Sequence, residues 1–226
     1  MTRSGRLGIL GGALASVMVV ALAASVAPPA EAAKADGDPG LAKLERGAFH
    51  DAMRKLWEDH IVWTRQYIVS AATLAGDLPD IGPTTDRLLA NQADIGNALR
   101  PFYGDEAGDA VTALLRDHIL GAAALITAAK TGDATATADA TTAWYANADT
   151  IAAALHRLNP DAWDTTHMQA MMRAHLDRTL EEAVARLEGR YADDIAAYQA
   201  VHVDILAMAD MLSDGIIEQF PDRFRR

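Results

Sequence analysis

Asp105–Gly132 reads DEAGDAVTALLRDHILGAAALITAAKTG. Its apolar residues recur at helical spacing: Val111, Leu114, Leu115, Ala122, Leu125 and Ala129 share one face, with His118 in the middle of it. Asp105 stands where an N-cap carboxylate would accept the first free amides. Gly132 lies just past the end, where a left-handed stop is needed. A long helix with one apolar face must bury that face against other elements. An imidazole inside the same face has to find partners there.

The neighbouring segments repeat the pattern. Asp133 caps a helix that stops at Asn159-Pro160, with Ala140, Trp144, Asn147, Ile151, Leu155 and Leu158 on one face. Asp164 or Thr165 opens a helix closed by Gly189, with Met168, Met172, Leu176, Leu180 and Leu187 facing inward. The last helix runs from Tyr191 to Gln219 on a stripe of Tyr191, Ile195, Tyr198, His202, Ile205, Ala209, Leu212 and Ile216. Upstream, residues 41–75 place Trp57, His60, Ile61, Thr64, Ile68 and Ala71 together. Residues 84–104 read as a connector of short helical pieces ended by Pro101–Gly104. No window alternates as a strand does. The expected fold is all-α: an antiparallel bundle of four to five long helices with a short helical connector.

Residues 1–32 read as a secretion signal peptide. Arg3 and Arg6 precede an apolar run from Leu7 to Ala27, then Pro28-Pro29 and Ala30-Glu31-Ala32. The run is also long enough to be kept as an anchor. Residues 33–40 form a disordered lead, and 41–226 one domain. The expected location is secreted or in the extracytoplasmic cell envelope, with no membrane insertion after signal cleavage. No other segment resembles a membrane span.

The chain carries 20 basic and 31 acidic residues, a net charge of −11. That argues against nucleic acid as a partner. Cysteine is absent, which removes disulfides, thiol nucleophiles and thiolate metal sites. After the signal only Ser70 and Ser213 remain as serines, neither in a Gly-x-Ser-x-Gly setting.

Leu56–Arg65 (LWEDHIVWTR), Trp144–Asp149 (WYANAD) and the Glu182–Asp194 stretch with Gly189-x-Tyr191 resemble a family of small bacterial helical-bundle proteins of unknown function. The resemblance implies the bundle and brings no activity with it.

His60, His118, Asn147 and His175 each sit near the middle of a helix, and His202 similarly in the last. Antiparallel helices of similar length bring their midpoints to one level. His60, His118 and His175 are therefore the candidate metal ligands, with Asn147 or Asp149 as a further ligand. Neutral imidazoles suit zinc, copper or nickel. Trp57, Tyr145, Glu182, Asp194 and His202 are the candidate supporting or pocket residues, and Asp59 and Asp117 further acids that could orient a ligand. No Glu-x-x-His or His-Glu-x-x-His occurs, so the di-iron and zinc-protease patterns are not met. His167, Met171 and His175 share a second face suited to copper(I). The functional expectation is a metal- or small-ligand-binding protein rather than an enzyme, since no separate general base stands out. The competing reading is a non-enzymatic structural or interaction module in which the same residues form a buried polar network.

Overall fold

The computed structural model describes residues 43–225; the stretches read as a secretion signal (1–32) and a lead (33–40) lie outside the described residues. Five helical elements follow one another: α1 (Arg46–Ala71), α2 (Ile81–Thr131), α3 (Ala134–Leu158), α4 (Thr165–Leu187) and α5 (Tyr191–Gln219). A 3-10 turn, Pro221–Arg223, closes the chain. The protein is an all-α helical bundle, and no strand occurs among the described residues.

The region read as a connector is a full helix, the first half of α2. At Gly104 the backbone swings to φ 83°, ψ 171°, and the chain turns back on itself. Two observations show the reversal. Arg116 Nε donates to Leu89 O at 3.4 Å, across the break. Gly96 and Gly108 lie against each other: a Cβ on Gly96 would meet Gly108 O at 2.6 Å and Thr112 Oγ1 at 1.9 Å. Gly96 therefore breaks nothing; it allows two backbones to touch. α2 also has the length and composition of a membrane span, though a third (33%) of that window is buried inside the bundle.

α1 packs on α2 and on α5, and α2, α3, α4 and α5 pack in sequence, so the helices close a ring. Asp133 and Asp164 cap α3 and α4 as expected, each accepting an amide at 2.9 Å. Gly132 and Gly189 take the left-handed conformation at the ends of α2 and α4. One end of the bundle is sealed by aromatic rings: Phe49 meets Phe102 and Phe224 at 5.4 and 5.2 Å, and Phe102 stacks on Phe224 at 5.8 Å. There Leu44 exchanges backbone hydrogen bonds with Arg223 and Arg225, both 2.9 Å.

The stripe on α5 differs from the expected one in its first turns. Tyr191 and Ile195 are exposed (58% and 53%), and the buried positions are Asp194, Ala197 and Val201. From Ile205 onward the expected and observed faces coincide.

Candidate functional site

Three helices carry the imidazoles and two more surfaces hold them in place. His60 on α1, His118 on α2 and His175 on α4 are 2, 3 and 4% exposed. Their rings adjoin: His60 and His175 have centroids 5.9 Å apart, and His118 and His175 6.3 Å. The His175 ring thus lies beside each of the other two.

Amide side chains fix two of the rings. Gln92 donates its amide N–H groups to Leu88 O (2.8 Å) and Asn91 Oδ1 (3.2 Å). Asn91 in turn donates to Leu56 O at 3.0 Å. That leaves the Gln92 carbonyl facing His60, 3.2 Å from Nδ1. Asn147 repeats the device: its amide donates to Leu114 O at 3.1 Å, and its carbonyl lies 3.0 Å from His118 Nδ1. A carbonyl only accepts, so Nδ1 carries the proton in both rings. The Nε2 lone pairs of His60 and His118 are then free to accept or to ligate.

His175 is held differently. Its Nδ1 is buried with no hydrogen-bond partner among the described residues, and so is Trp57 Nε1. The Trp57 ring meets His60 edge-on at 5.8 Å. Trp144 stacks on His118 at 5.3 Å and donates Nε1–H to its carbonyl at 3.0 Å. Thr64 and Thr179 each donate to the carbonyl one turn below, His60 O and His175 O, at 2.8 Å.

The surroundings keep all three rings neutral. Burial, then the neighbouring His118, pulls the His60 pKa down to about 3 against the Gln92 bond. Burial brings His118 down to about 4, opposed by Asn147. Burial and the two other rings push His175 well below the ordinary range. Neutral imidazole is the form that binds a metal.

The remaining candidates lie elsewhere. Asp149 pairs with Arg173 at the surface, and Asn147 touches His118 through Nδ1, on the side away from a ligating lone pair. The Tyr145 hydroxyl donates to Asp177. His202 pairs with Glu58 at 2.8 Å on the outside of the bundle, and Asp59 with Lys55. His167 is exposed and Met171 half-buried, while Met168 and Met172 are core, so the second face does not gather at one point. The structure brings together His60, His118 and His175, adds Trp57 beside them, and leaves Asp149, Tyr145 and His202 out. Gln92 and Asn91, which hold the His60 ring, are residues the sequence reading missed, because they lie on the segment read as a connector.

Glu182 and Asp194 form a separate buried cluster. Arg65 donates to Glu182 Oε1 at 2.9 Å and to both oxygens of Asp194, one at 3.0 Å. Arg186 stands 3.5 Å from Asp194. Burial pushes Glu182 up to about 7, partly offset by Arg65. Burial opposes the Arg65 charge, but its bonds to Asp194 and Glu182 outweigh that and hold its pKa above the ordinary value.

A serine–histidine–aspartate chain also forms. Ser213 Oγ is 2.7 Å from His50 Nδ1, and His50 Nε2 is 3.1 Å from Asp214. Ser213 is fully buried and donates to Ala209 and Asp210 carbonyls, so it presents no nucleophile.

Three imidazoles on one tetrahedral ion, with bonds of about 2.0–2.1 Å, put their centroids roughly 5 Å apart. The observed spacings are wider by about 1 Å. Among the described residues no group of three or more His, Asp or Glu side chains is already set around an ion position. No protein family, curated protein or solved structure matches the chain.

Proposed function

We propose that this bundle is an exported binding protein for one transition-metal ion, zinc, copper or nickel, held by His60, His118 and His175. The observation that carries the reading is the pair of anchored amides. Gln92 and Asn147 each spend their N–H groups elsewhere and turn a carbonyl to Nδ1, which aims Nε2 as a lone pair. Metal-bound histidines are oriented in this way by a second hydrogen bond. The neutral state of all three rings and the unpartnered nitrogen of His175 support the same reading. The export step rests on the basic start, apolar run and small-residue cleavage stretch of residues 1–32.

A second reading is favoured by the spacing itself. Rings more than about 5 Å apart, with no group already set for an ion, also suit a structural or interaction module with a buried polar layer. Elemental analysis separates the two. The protein is purified without a His tag, alongside a His60→Ala, His118→Ala, His175→Ala variant. Near-stoichiometric zinc, copper or nickel, lost in the variant, supports the metal reading. No metal in either, with none retained after loading and dialysis, leaves the polar layer as architecture.

A further inference from the structure

Three neutral imidazoles bring no negative charge to an ion. The carboxylates nearest them in sequence are exposed or already paired. Asp117, beside His118, is exposed; Asp59 holds Lys55; Asp177 accepts the Tyr145 hydroxyl on the outside of the bundle. Glu182 and Asp194 are bound by Arg65. The carbonyls of the layer are engaged as well. Those of His60, His118 and His175 accept from Thr64, Trp144 and Thr179, and those of Gln92 and Asn147 face the Nδ1 protons. An ion here keeps its whole charge among rings that are 2–4% exposed. The cost of taking an ion out of water rises with the square of its charge, so a double charge costs about four times as much as a single one.

Ring spacing points the same way. A tetrahedral ion needs a fourth donor, and every carboxylate and carbonyl just named is exposed or committed elsewhere. With metal–nitrogen bonds of about 2.0–2.1 Å, two imidazoles on opposite sides of an ion have centroids about 6.4 Å apart, against roughly 5 Å in a tetrahedral set. His175 stands 5.9 Å from His60 and 6.3 Å from His118. Spacings too wide for a tetrahedron suit an ion of low coordination number with wide nitrogen–metal–nitrogen angles. Copper is an imidazole-binding metal, and its singly charged ion accepts two or three ligands.

We infer that the ion is copper(I), held by His175 with His60 and His118 in an all-nitrogen site that rejects zinc and nickel by their charge. The inference rests on the metal reading above and narrows it.

The test is a competition titration of the purified full chain without a His tag. Copper(I), kept reduced by ascorbate under anaerobic conditions, is titrated against bicinchoninate; zinc(II) and nickel(II) are titrated against a chromophoric chelator. One copper(I) should bind per chain, roughly hundredfold or more tighter than zinc or nickel. The His60→Ala, His118→Ala, His175→Ala variant should lose it, with circular dichroism establishing that the variant is folded. X-ray absorption of the copper(I) form of the wild type gives an answer that needs no variant: two or three nitrogen ligands and no sulfur. Zinc or nickel bound as tightly as copper(I), and lost in the folded variant, overturns the inference and leaves the metal reading standing. A sulfur ligand, or copper(I) kept by the folded variant, overturns the inference by placing the ion elsewhere. No binding of any of the three ions overturns the inference and the metal reading together.

Discussion

The imidazole layer and the Arg65 cluster share α1 and α4 and solve one problem in two ways. Each buries several titratable groups that water would otherwise solvate. At the imidazole layer the groups give up their charge, and amides satisfy the neutral rings. At the Arg65 cluster a guanidinium keeps its charge and shares it between two carboxylates that are 1% and 0% exposed. The first arrangement leaves lone pairs available; the second uses every strong partner it has. A ligand site is therefore expected in the neutral layer, and a clasp joining α1, α4 and α5 in the charged one.

The two regions respond to pH with opposite sign, which gives the largest predicted effect. The three histidines have folded pKa values below the unfolded value of about 6.5. Their stabilisation is complete above about 6.5 and is lost as pH falls toward the folded values. Glu182 is raised from 4.5 to about 7, so the folded state binds its proton more tightly and gains stability as pH falls from 7 to 4.5. Three protons taken up by the unfolded chain against one by the folded chain leave two. The metal-free protein should lose about 3 kcal/mol per pH unit near pH 5. Urea unfolding between pH 4.5 and 7.5 measures this. Glu182→Gln removes the opposing proton and should steepen the slope. A flat profile would mean that the rings are not neutral and buried.

Arg65→Met tests the charged side of the comparison at constant pH. It strands Asp194 and leaves Glu182 without its partner, at a cost of about 3 kcal/mol at pH 7.5. The loss should shrink toward pH 5 as Glu182 takes up its proton in the variant. An equal loss at both pH values would assign the effect to packing of the Arg65 stem rather than to charge.

Where the sequence was readable, a local pattern carried the information. His60, His118 and His175 interrupt the apolar stripes of long helices, a pattern that periodicity alone reveals. Asp149 follows Asn147 by two residues, which rotates it about 200° around α3 and out of the layer. The α5 stripe slipped because Asp194 is buried and Ile195 is not. Arg65, far away in sequence, draws that carboxylate inward, and no periodicity records it. Gln92 was hidden for a related reason: it falls among the short helical pieces read at residues 84–104, which Pro101–Gly104 end when read along the chain.

Gly96→Ala sharpens that point. The added methyl would meet the Gly108 carbonyl and the Thr112 hydroxyl, so the two halves of α2 must part. A loss of about 1–3 kcal/mol is expected in urea unfolding. Helix propensity alone would make alanine stabilising here, so the sign decides between a close backbone crossing and an ordinary helix interior.

Gln92→Leu should have the smallest effect on folding and bears most directly on the neutral layer. Leucine is close to glutamine in size, but it leaves His60 Nδ1–H buried without an acceptor. The cost is about 1–2 kcal/mol in the metal-free protein. The His60 ring also loses the bond that fixes its tautomer, so zinc affinity should fall about 10- to 100-fold in competition with a chromophoric chelator. Arg65→Met provides the contrast, since it removes more stability and touches none of the three rings; its zinc affinity should stay near wild type under conditions where both variants are folded. If Gln92→Leu lowers stability and leaves zinc affinity unchanged, His60 is not a ligand, and the amides serve the packing of the layer alone.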